Sequence, residues 1–190
     1  MGHSNPADLV VLLDDEGRPI GSAPRATVHD TDTPLHLAFS CYAFDAADRL
    51  LLTRRAVSKR TWPGVWTNSF CGHPRPGEDI LEAVHRYARH ELGTTVVDPV
   101  CVVPSFRYRA VDAGGVVENE LCPVYVARFV ASPVLNPDET VESRWVELAE
   151  LHAAVEHVPW ARSPWLVEQV AAIEAVGGWS GPAALGPVSA

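Results

Sequence analysis

Asp79-Ile80-Leu81-Glu82-Ala83-Val84-His85-Arg86-Tyr87-Ala88-Arg89-His90-Glu91-Leu92-Gly93 is the stretch whose reading decides the fold class. Ile80, Ala83, Val84, Tyr87 and Ala88 recur at the three-and-four spacing that gathers apolar side chains on one face of a helix. Gly93 stands where a left-handed C-terminal cap is wanted, so the spacing predicts a helix over 79–92. On either side, β-prone apolar runs at 10–13, 36–44, 50–53, 65–70, 96–103 and 121–130 are separated by turn-forming stretches such as Asp14-Asp15-Glu16-Gly17 and Asp45-Ala46-Ala47-Asp48. Two further helices are expected over 147–157 and 164–176, the second with Ser163 as N-cap and Pro164 in its first position. Strands interleaved with a few helices predict an α/β (α+β) fold, a mixed β-sheet core flanked by helices.

With 190 residues, 47% hydrophobic and 21% charged, the chain has the profile of one soluble globular domain that needs no disulfide to hold its core. That domain is expected to span 1–176, with the Gly/Pro/Ala-rich residues 177–190 as a flexible tail. Fifteen basic against 24 acidic residues, net −9, argue against a generalised nucleic-acid or anionic-membrane surface, so an anionic ligand must be met by a local site. Cys41, Cys71, Cys101 and Cys122 form no C-x-x-C pair and read as free thiols. The apolar run 9–13 is too short for a signal-peptide core or a membrane span, and a cytoplasmic monomer is the expectation.

Several patterns could carry chemistry. In Asn68-Ser69-Phe70-Cys71-Gly72-His73-Pro74 an extended chain points Cys71 and His73 to one side, a thiol beside an imidazole. Glu118-Asn119-Glu120 puts two carboxylates on one face of a strand, where they repel unless a cation or a shared proton holds them. His29 and His36, joined with these, would make a nitrogen and oxygen set better suited to six-coordinate Mn or Mg than to closed tetrahedral zinc. The basic cluster Arg54-Arg55-Ala56-Val57-Ser58-Lys59-Arg60 has the composition of a diphosphate clamp, and Trp62, Trp66, Trp160 and Trp165 offer π faces to a cation. Inert buried thiols, solvated charges and core tryptophans fit the same spacings, and spacing alone does not choose.

From Gly72 onward the chain resembles the Nudix box G-x5-E-x7-R-E-U-x-E-E-x-G-U, U being a bulky aliphatic residue. Gly72, Glu78, Arg86, Glu91 and Gly93 fall in register, while Tyr87 and His90 replace two box glutamates. Within that superfamily it is similar to the type I isopentenyl-diphosphate delta-isomerases. The segment from His29 through Leu35-His36 to Ser40, Trp62-Pro63-Gly64-Val65-Trp66-Thr67-Asn68-Ser69, Cys71-Gly72-His73-Pro74 and Glu118-Asn119-Glu120 carry the likeness. The resemblance implies a prenyl diphosphate substrate and double-bond transposition through a tertiary carbocation. It also implies a divalent ion, Mn2+ or else Mg2+ or Zn2+, on His29, His36, His73, Glu118 and Glu120, and Mg2+ at Glu91 beside the diphosphate. Cys71 and Glu120 would be the catalytic pair, with Tyr108 near the glutamate and Trp165 facing the cation. Arg25, Arg55, Lys59 and Arg86 would bind the substrate, with no role for nucleic acid or membrane. A Nudix pyrophosphohydrolase and a non-catalytic diphosphate- or metal-binding module are the alternatives.

Overall fold

The structure, a computed structural model, describes residues 8–180, so the expectation for 181–190 lies outside the described residues. In chain order the elements are β1 (Leu9–Leu13), β2 (Pro19–Pro24), the single turn α1 (Arg25–Val28), β3 (His36–Leu37), β4 (Phe39–Phe44), β5 (Leu50–Arg55), β6 (Trp66–Thr67), β7 (Phe70–Gly72) and α2 (Ile80–Leu92). They continue with β8 (Val96–Val103), β9 (Arg107–Val111), β10 (Val117–Leu121), β11 (Val124–Phe129), β12 (Thr140–Val146), α3 (Leu148–His157) and α4 (Pro164–Ala175). Two mixed sheets result. The smaller runs β2-β1-β3-β10-β9 and the larger β12-β5-β4-β11-β8, with β6 paired to β5 and β7 to β4.

Central strand β4 is buried at every position because both of its faces are covered. Phe39, Cys41 and Ala43 pack under α2 with Ala83, Val84, Tyr87 and Ala88. Tyr42 and Phe44 face the other way, among residues that include Leu166, Val170 and Ile173 of α4. Helix α2 begins where the Asp79 carboxylate accepts from the Leu81 N–H at 2.7 Å and ends at Gly93, whose φ of 60° is the left-handed cap the sequence predicts. Gly72 is required for a different reason: a Cβ there would lie 2.4 Å from Cδ2 of Tyr87. Helix α4 begins as expected, its Ser163 hydroxyl accepting from the Leu166 N–H.

Three expected strands are each broken in two. The run 36–44 splits at Ala38, β3 pairing in the small sheet and β4 in the large one. The run 121–130 splits at Cys122-Pro123, where proline has no N–H for a ladder. The run 65–70 is interrupted by Asn68 and Ser69, whose side chains replace ladder bonds. Asn68 Nδ2 donates to Cys41 O and Phe70 O, and Ser69 Oγ accepts from Ala43 N and donates to Leu51 O. The folded part also passes the expected boundary at 176. Gly178–Ser180 form a 3-10 turn, and Trp179 meets Tyr42 edge-on with ring centroids 5.4 Å apart.

Candidate active site

The small sheet brings His36 and Glu120 together by direct register, because β3 runs parallel to β10 with His36 opposite Glu120. The large sheet brings Cys71 up beside Ser40 through the β4–β7 pairing, and His73 follows just beyond β7. Residues from both sheets, α1, α2 and the start of α4 surround a cleft of about 240 Å3.

At its floor His29, His36, His73 and Glu120 place four ligand atoms within 4.8 Å of one another. His36 Nε2 lies 3.3 Å from His73 Nε2, and His73 Nε2 lies 3.0 Å from Glu120 Oε1. The Pro34 carbonyl, 2.9 Å from His36 Nδ1, holds that nitrogen's proton and leaves the Nε2 lone pair facing the cluster. Glu118 stands at the edge, its Oε1 accepting from Thr61 Oγ1 at 2.6 Å and its Oε2 3.0 Å from His29 Nε2. The two form a close ion pair, yet neither His29 Nε2 nor Glu118 Oε2, both buried, has a hydrogen-bond partner. Converging imidazole nitrogens and two buried carboxylates, with two of these atoms left without a hydrogen bond, are the donor set of a divalent cation site, and the residues fit one.

Electrostatics within the cluster are lopsided. Burial would lower His29, but the Glu118 and Glu120 carboxylates beside it raise it to about 9. His73 goes the other way, held below the usual histidine value by burial despite Glu120. Burial would raise Glu120, yet the three imidazoles gathered around it hold it well below the usual carboxylate range.

Above this cluster sits the thiol. Cys71 Sγ donates to Asn68 Oδ1 at 3.1 Å and lies 3.3 Å from Ser40 Oγ. Burial pushes the thiol up to about 12, against those two hydrogen bonds and aided by Glu120 and Glu91, so Cys71 keeps its proton at neutral pH. Tyr108 donates to Glu120 Oε2 at 2.9 Å. Trp165 lies on the same wall, its ring centroid 5.8 Å from that of Tyr108 and 5.5 Å from that of Trp62, with the Arg55 guanidinium 5.3 Å from its ring.

The cationic end of the cleft is pre-paired. Arg25 Nε donates to Asp8 Oδ2 at 2.5 Å, Lys59 is bonded to Glu139, and Arg55 Nη2 donates to Thr61 O at 2.9 Å. Burial raises Glu91 to about 7, with Lys59 and Arg55 opposing and Glu139 reinforcing the shift. Arg86 departs from expectation. Its Nε and Nη2 form a fork on the two Glu78 oxygens at 2.7 and 2.6 Å, and Nη2 also holds His73 O. A guanidinium satisfied in this way ties α2 to the His73 loop and does not face the cleft. The two positions that break the box are likewise occupied. Tyr87 is a buried ring 5.6 Å from Phe39, and His90 Nε2 lies 3.2 Å from Glu139 Oε1.

Sequence reasoning assigned no role to Asn68, Ser40, Gln169, Thr61 or Glu139. Asn68 Oδ1 collects donors from Cys71, Thr67 and Trp165, joining thiol and indole through one amide. Gln169 Nε2 donates to Ser40 Oγ at 2.9 Å and its Oε1 accepts from Tyr42. The available signal was the polar run Thr67-Asn68-Ser69 inside an apolar stretch, since buried polar groups must find partners.

Comparison with known proteins places the chain in a family. The family model described as NUDIX domain matches residues 34–166. The chain is 62% identical over 164 residues to an isopentenyl-diphosphate Delta-isomerase of Clavibacter sepedonicus, covering 86% of each chain. To the isomerase of the same name from Mycolicibacterium vanbaalenii it is 57% identical over 177 residues, covering 93% of this chain and 97% of the relative. Among solved structures, DR0079 from Deinococcus radiodurans superposes with a TM-score of 0.65 at 18% identity over 88% of this chain and 98% of that one. A MutT protein from Methanosarcina mazei gives 0.60 at 20% identity over 75% and 94%. At such identities these two speak for the fold alone.

Proposed function

The chain belongs to the NUDIX domain family and, within it, to the isopentenyl-diphosphate Delta-isomerases, and on that premise we propose how its residues move the double bond between isopentenyl and dimethylallyl diphosphate. The observation that carries the reading is the cleft itself. A protonated thiol, a carboxylate bonded to a phenol and an indole face line one cleft, with basic side chains at one end.

Arg25, Arg55 and Lys59 bind the diphosphate, exchanging their present partners Asp8, Thr61 and Glu139 for phosphate oxygens. This anchors the hydrocarbon end against Trp165, Tyr108 and Cys71 and makes proton transfer a matter of position. Cys71 and Glu120 are the donor and acceptor pair. One adds a proton to the terminal alkene carbon, leaving a tertiary cation at the branched carbon. The other removes a proton from the adjacent methylene, and the new double bond forms there. The two exchange roles in the reverse direction. Tyr108 fixes the Glu120 carboxylate, and the Trp165 face offers the cation its negative quadrupole. The walls exclude water, which would otherwise capture the cation.

His29, His36, His73, Glu118 and Glu120 would hold a divalent cation, Mn2+ or else Mg2+ or Zn2+, and Glu91 would hold Mg2+ beside the diphosphate; each supplies fixed positive charge where carboxylates or phosphates crowd. Tyr87 and His90 in place of box carboxylates leave α2 poor in the groups that gather metals for attack on phosphorus, so the diphosphate serves as a handle. We read the enzyme as a cytoplasmic monomer that acts on this small molecule without nucleic acid or membrane, and among the described residues no helix is long and apolar enough to cross one.

Isopentenyl diphosphate incubated with the enzyme in heavy water should yield dimethylallyl diphosphate with deuterium on carbon and no release of phosphate or pyrophosphate. Diphosphate cleavage without carbon-bound deuterium would replace the isomerase reading with a hydrolase.

A further inference from the structure

A second cavity, of about 290 Å3, lies between β5, β6, β12 and α3 and is lined by Leu52, Trp66, Val146, Arg144, Glu150 and Arg162, among others. Side chains alternate along β5 and β6, so Leu52 and Trp66 look away from Thr53 and Thr67, which line the catalytic cleft. The two spaces are on opposite faces of the same strands.

Its two arginines lack the partners that arginines elsewhere in the fold possess. Arg162 Nε is buried with no acceptor, and the guanidinium has one hydrogen bond, from Nη1 to the neighbouring Ala161 O at 3.2 Å. Among the described residues, neither Arg162 nor Arg144 has a carboxylate oxygen within 4.0 Å. Glu150, the acid on the same lining, spends its Oε2 on the Glu147 N–H in the capping box of α3. Partial burial lowers the Arg162 pKa, and no neighbouring carboxylate offsets it. The remaining wall is the Trp66 indole and the aliphatic side chains of Leu52, Val146 and Ala154.

We propose that this cavity is a second binding site, for a small amphiphilic anion whose phosphate or diphosphate head is gripped by Arg144 and Arg162 while a short apolar body lies on Leu52, Trp66 and Val146. Two guanidinium forks offer several N–H donors, which suits a head with several oxygens better than a lone carboxylate. Volume is adequate for a short body, at the lower end of the range for small-molecule sites.

An occupant would touch the catalytic wall from behind. Ser163 N donates to Trp66 O at 2.9 Å, and Ser163 Oγ lies 2.9 Å from Thr67 Oγ1. Ser163 also caps α4, which carries Trp165. Ligand held on Arg162 and Trp66 therefore grips both the strand bearing Thr67 and the turn that launches Trp165.

Calorimetric titration of the metal-loaded full chain with geranyl diphosphate tests this. Two binding events per chain are expected, one at the catalytic cleft and one at the new site. The second should weaken by about tenfold or more in Arg162→Gln and again in Arg144→Gln, each losing a charge-assisted contact, with basal turnover unchanged. Inorganic pyrophosphate should fill the second site at least about tenfold more weakly than geranyl diphosphate, because it buries no apolar surface. A single event in the wild type, a second event untouched by both substitutions, or equal affinity for pyrophosphate overturns the proposal. Arg144 is exposed, so its variant gives an answer even if Arg162→Gln does not fold.

Discussion

Gln169→Leu tests the reasoning about the buried polar network most severely. Gln169 is fully buried and bridges two hydroxyls, accepting from Tyr42 at 2.9 Å and donating to Ser40 at 2.9 Å. Ser40 Oγ in turn lies 3.3 Å from the Cys71 sulfur and 3.4 Å from that of Cys122. Leucine has nearly the right size for a helix position among Leu166, Val170 and Ile173, so no large cavity opens. What remains is a Tyr42 hydroxyl with no partner and a Ser40 hydroxyl left with only the sulfurs. A buried orphan costs roughly 1–3 kcal/mol, and with Ser40 partly compensated the loss should be about 2–4 kcal/mol. In a chain of this length that lowers Tm by roughly 4–16 °C. Because Gln169 does not line the cleft, KM should hold while kcat falls by roughly tenfold, the cost of a slightly misplaced thiol. Thermal unfolding followed by circular dichroism, together with steady-state kinetics, measures both. Adding Tyr42→Phe to the leucine variant removes one orphan and should recover about half of the lost Tm. An unchanged Tm in Gln169→Leu, or further loss on adding Tyr42→Phe, refutes the network as a source of stability and thiol placement.

Three further outcomes are expected. His73→Ala should lower the content of bound divalent metal several-fold after mild purification, measured by elemental analysis; unchanged content with an intact fold removes His73 from the cation site. Cys71→Ala and Glu120→Gln should each leave less than about a tenth of the wild-type rate, a barrier increase above roughly 1.4 kcal/mol, and either variant exceeding that would break the donor and acceptor pairing. The third concerns acid stability. The Arg86 fork holds the Glu78 carboxyl below its ordinary value, so this pair stabilises the fold above the unfolded carboxylate pKa and the contribution fades as pH falls through the folded one. Glu78→Gln should therefore lower Tm at pH 7 by more than it does in acid, the difference shrinking as pH falls below the unfolded carboxylate range, and a Tm difference constant with pH contradicts the assignment.

Legibility varied with how locally each feature is encoded. The α2 helix could be read because its apolar face, its cap at Gly93 and its length lie within one short window. Cys71 with His73, and Glu118 with Glu120, reached one cleft as period-two spacing required. The extended geometry of Glu118-Asn119-Glu120 was legible from its spacing, but the full strand β10 lacks the apolar pattern that marks one, because its buried face carries Glu118 and Glu120, which face a cleft and not an oily core. Exposed β2, with Pro19, Gly21 and Pro24, has no strand composition at all and is held by its pairing to β1. The split of 36–44 between two sheets had no sequence signal, since partner strands and not Ala38 decide it. Arg86 was misjudged because an arginine beside a phosphate clamp and an arginine clamping a helix to a loop look alike until Glu78 is seen in its fork.

That split has a further meaning. His36 faces Glu120 on one side of Ala38, and Ser40 faces Val124 on the other, so each strand advances four residues and the pairing never loses register. Hydrogen bonds from Ala38 N to Leu121 O and from Ser40 N to Pro123 O stitch the bend. The two sheets are thus joined by a single folded ribbon, and the acid and thiol halves of the chemistry are set apart by backbone length. Side-chain substitutions can retune either half without moving it toward the other. Inserting or deleting one residue in this ribbon would turn every following side chain to the opposite face, exchanging the directions of His36 and Leu37, or of Ser40 and Cys41. Between its functional positions, this ribbon is constrained by residue count more than by side-chain identity.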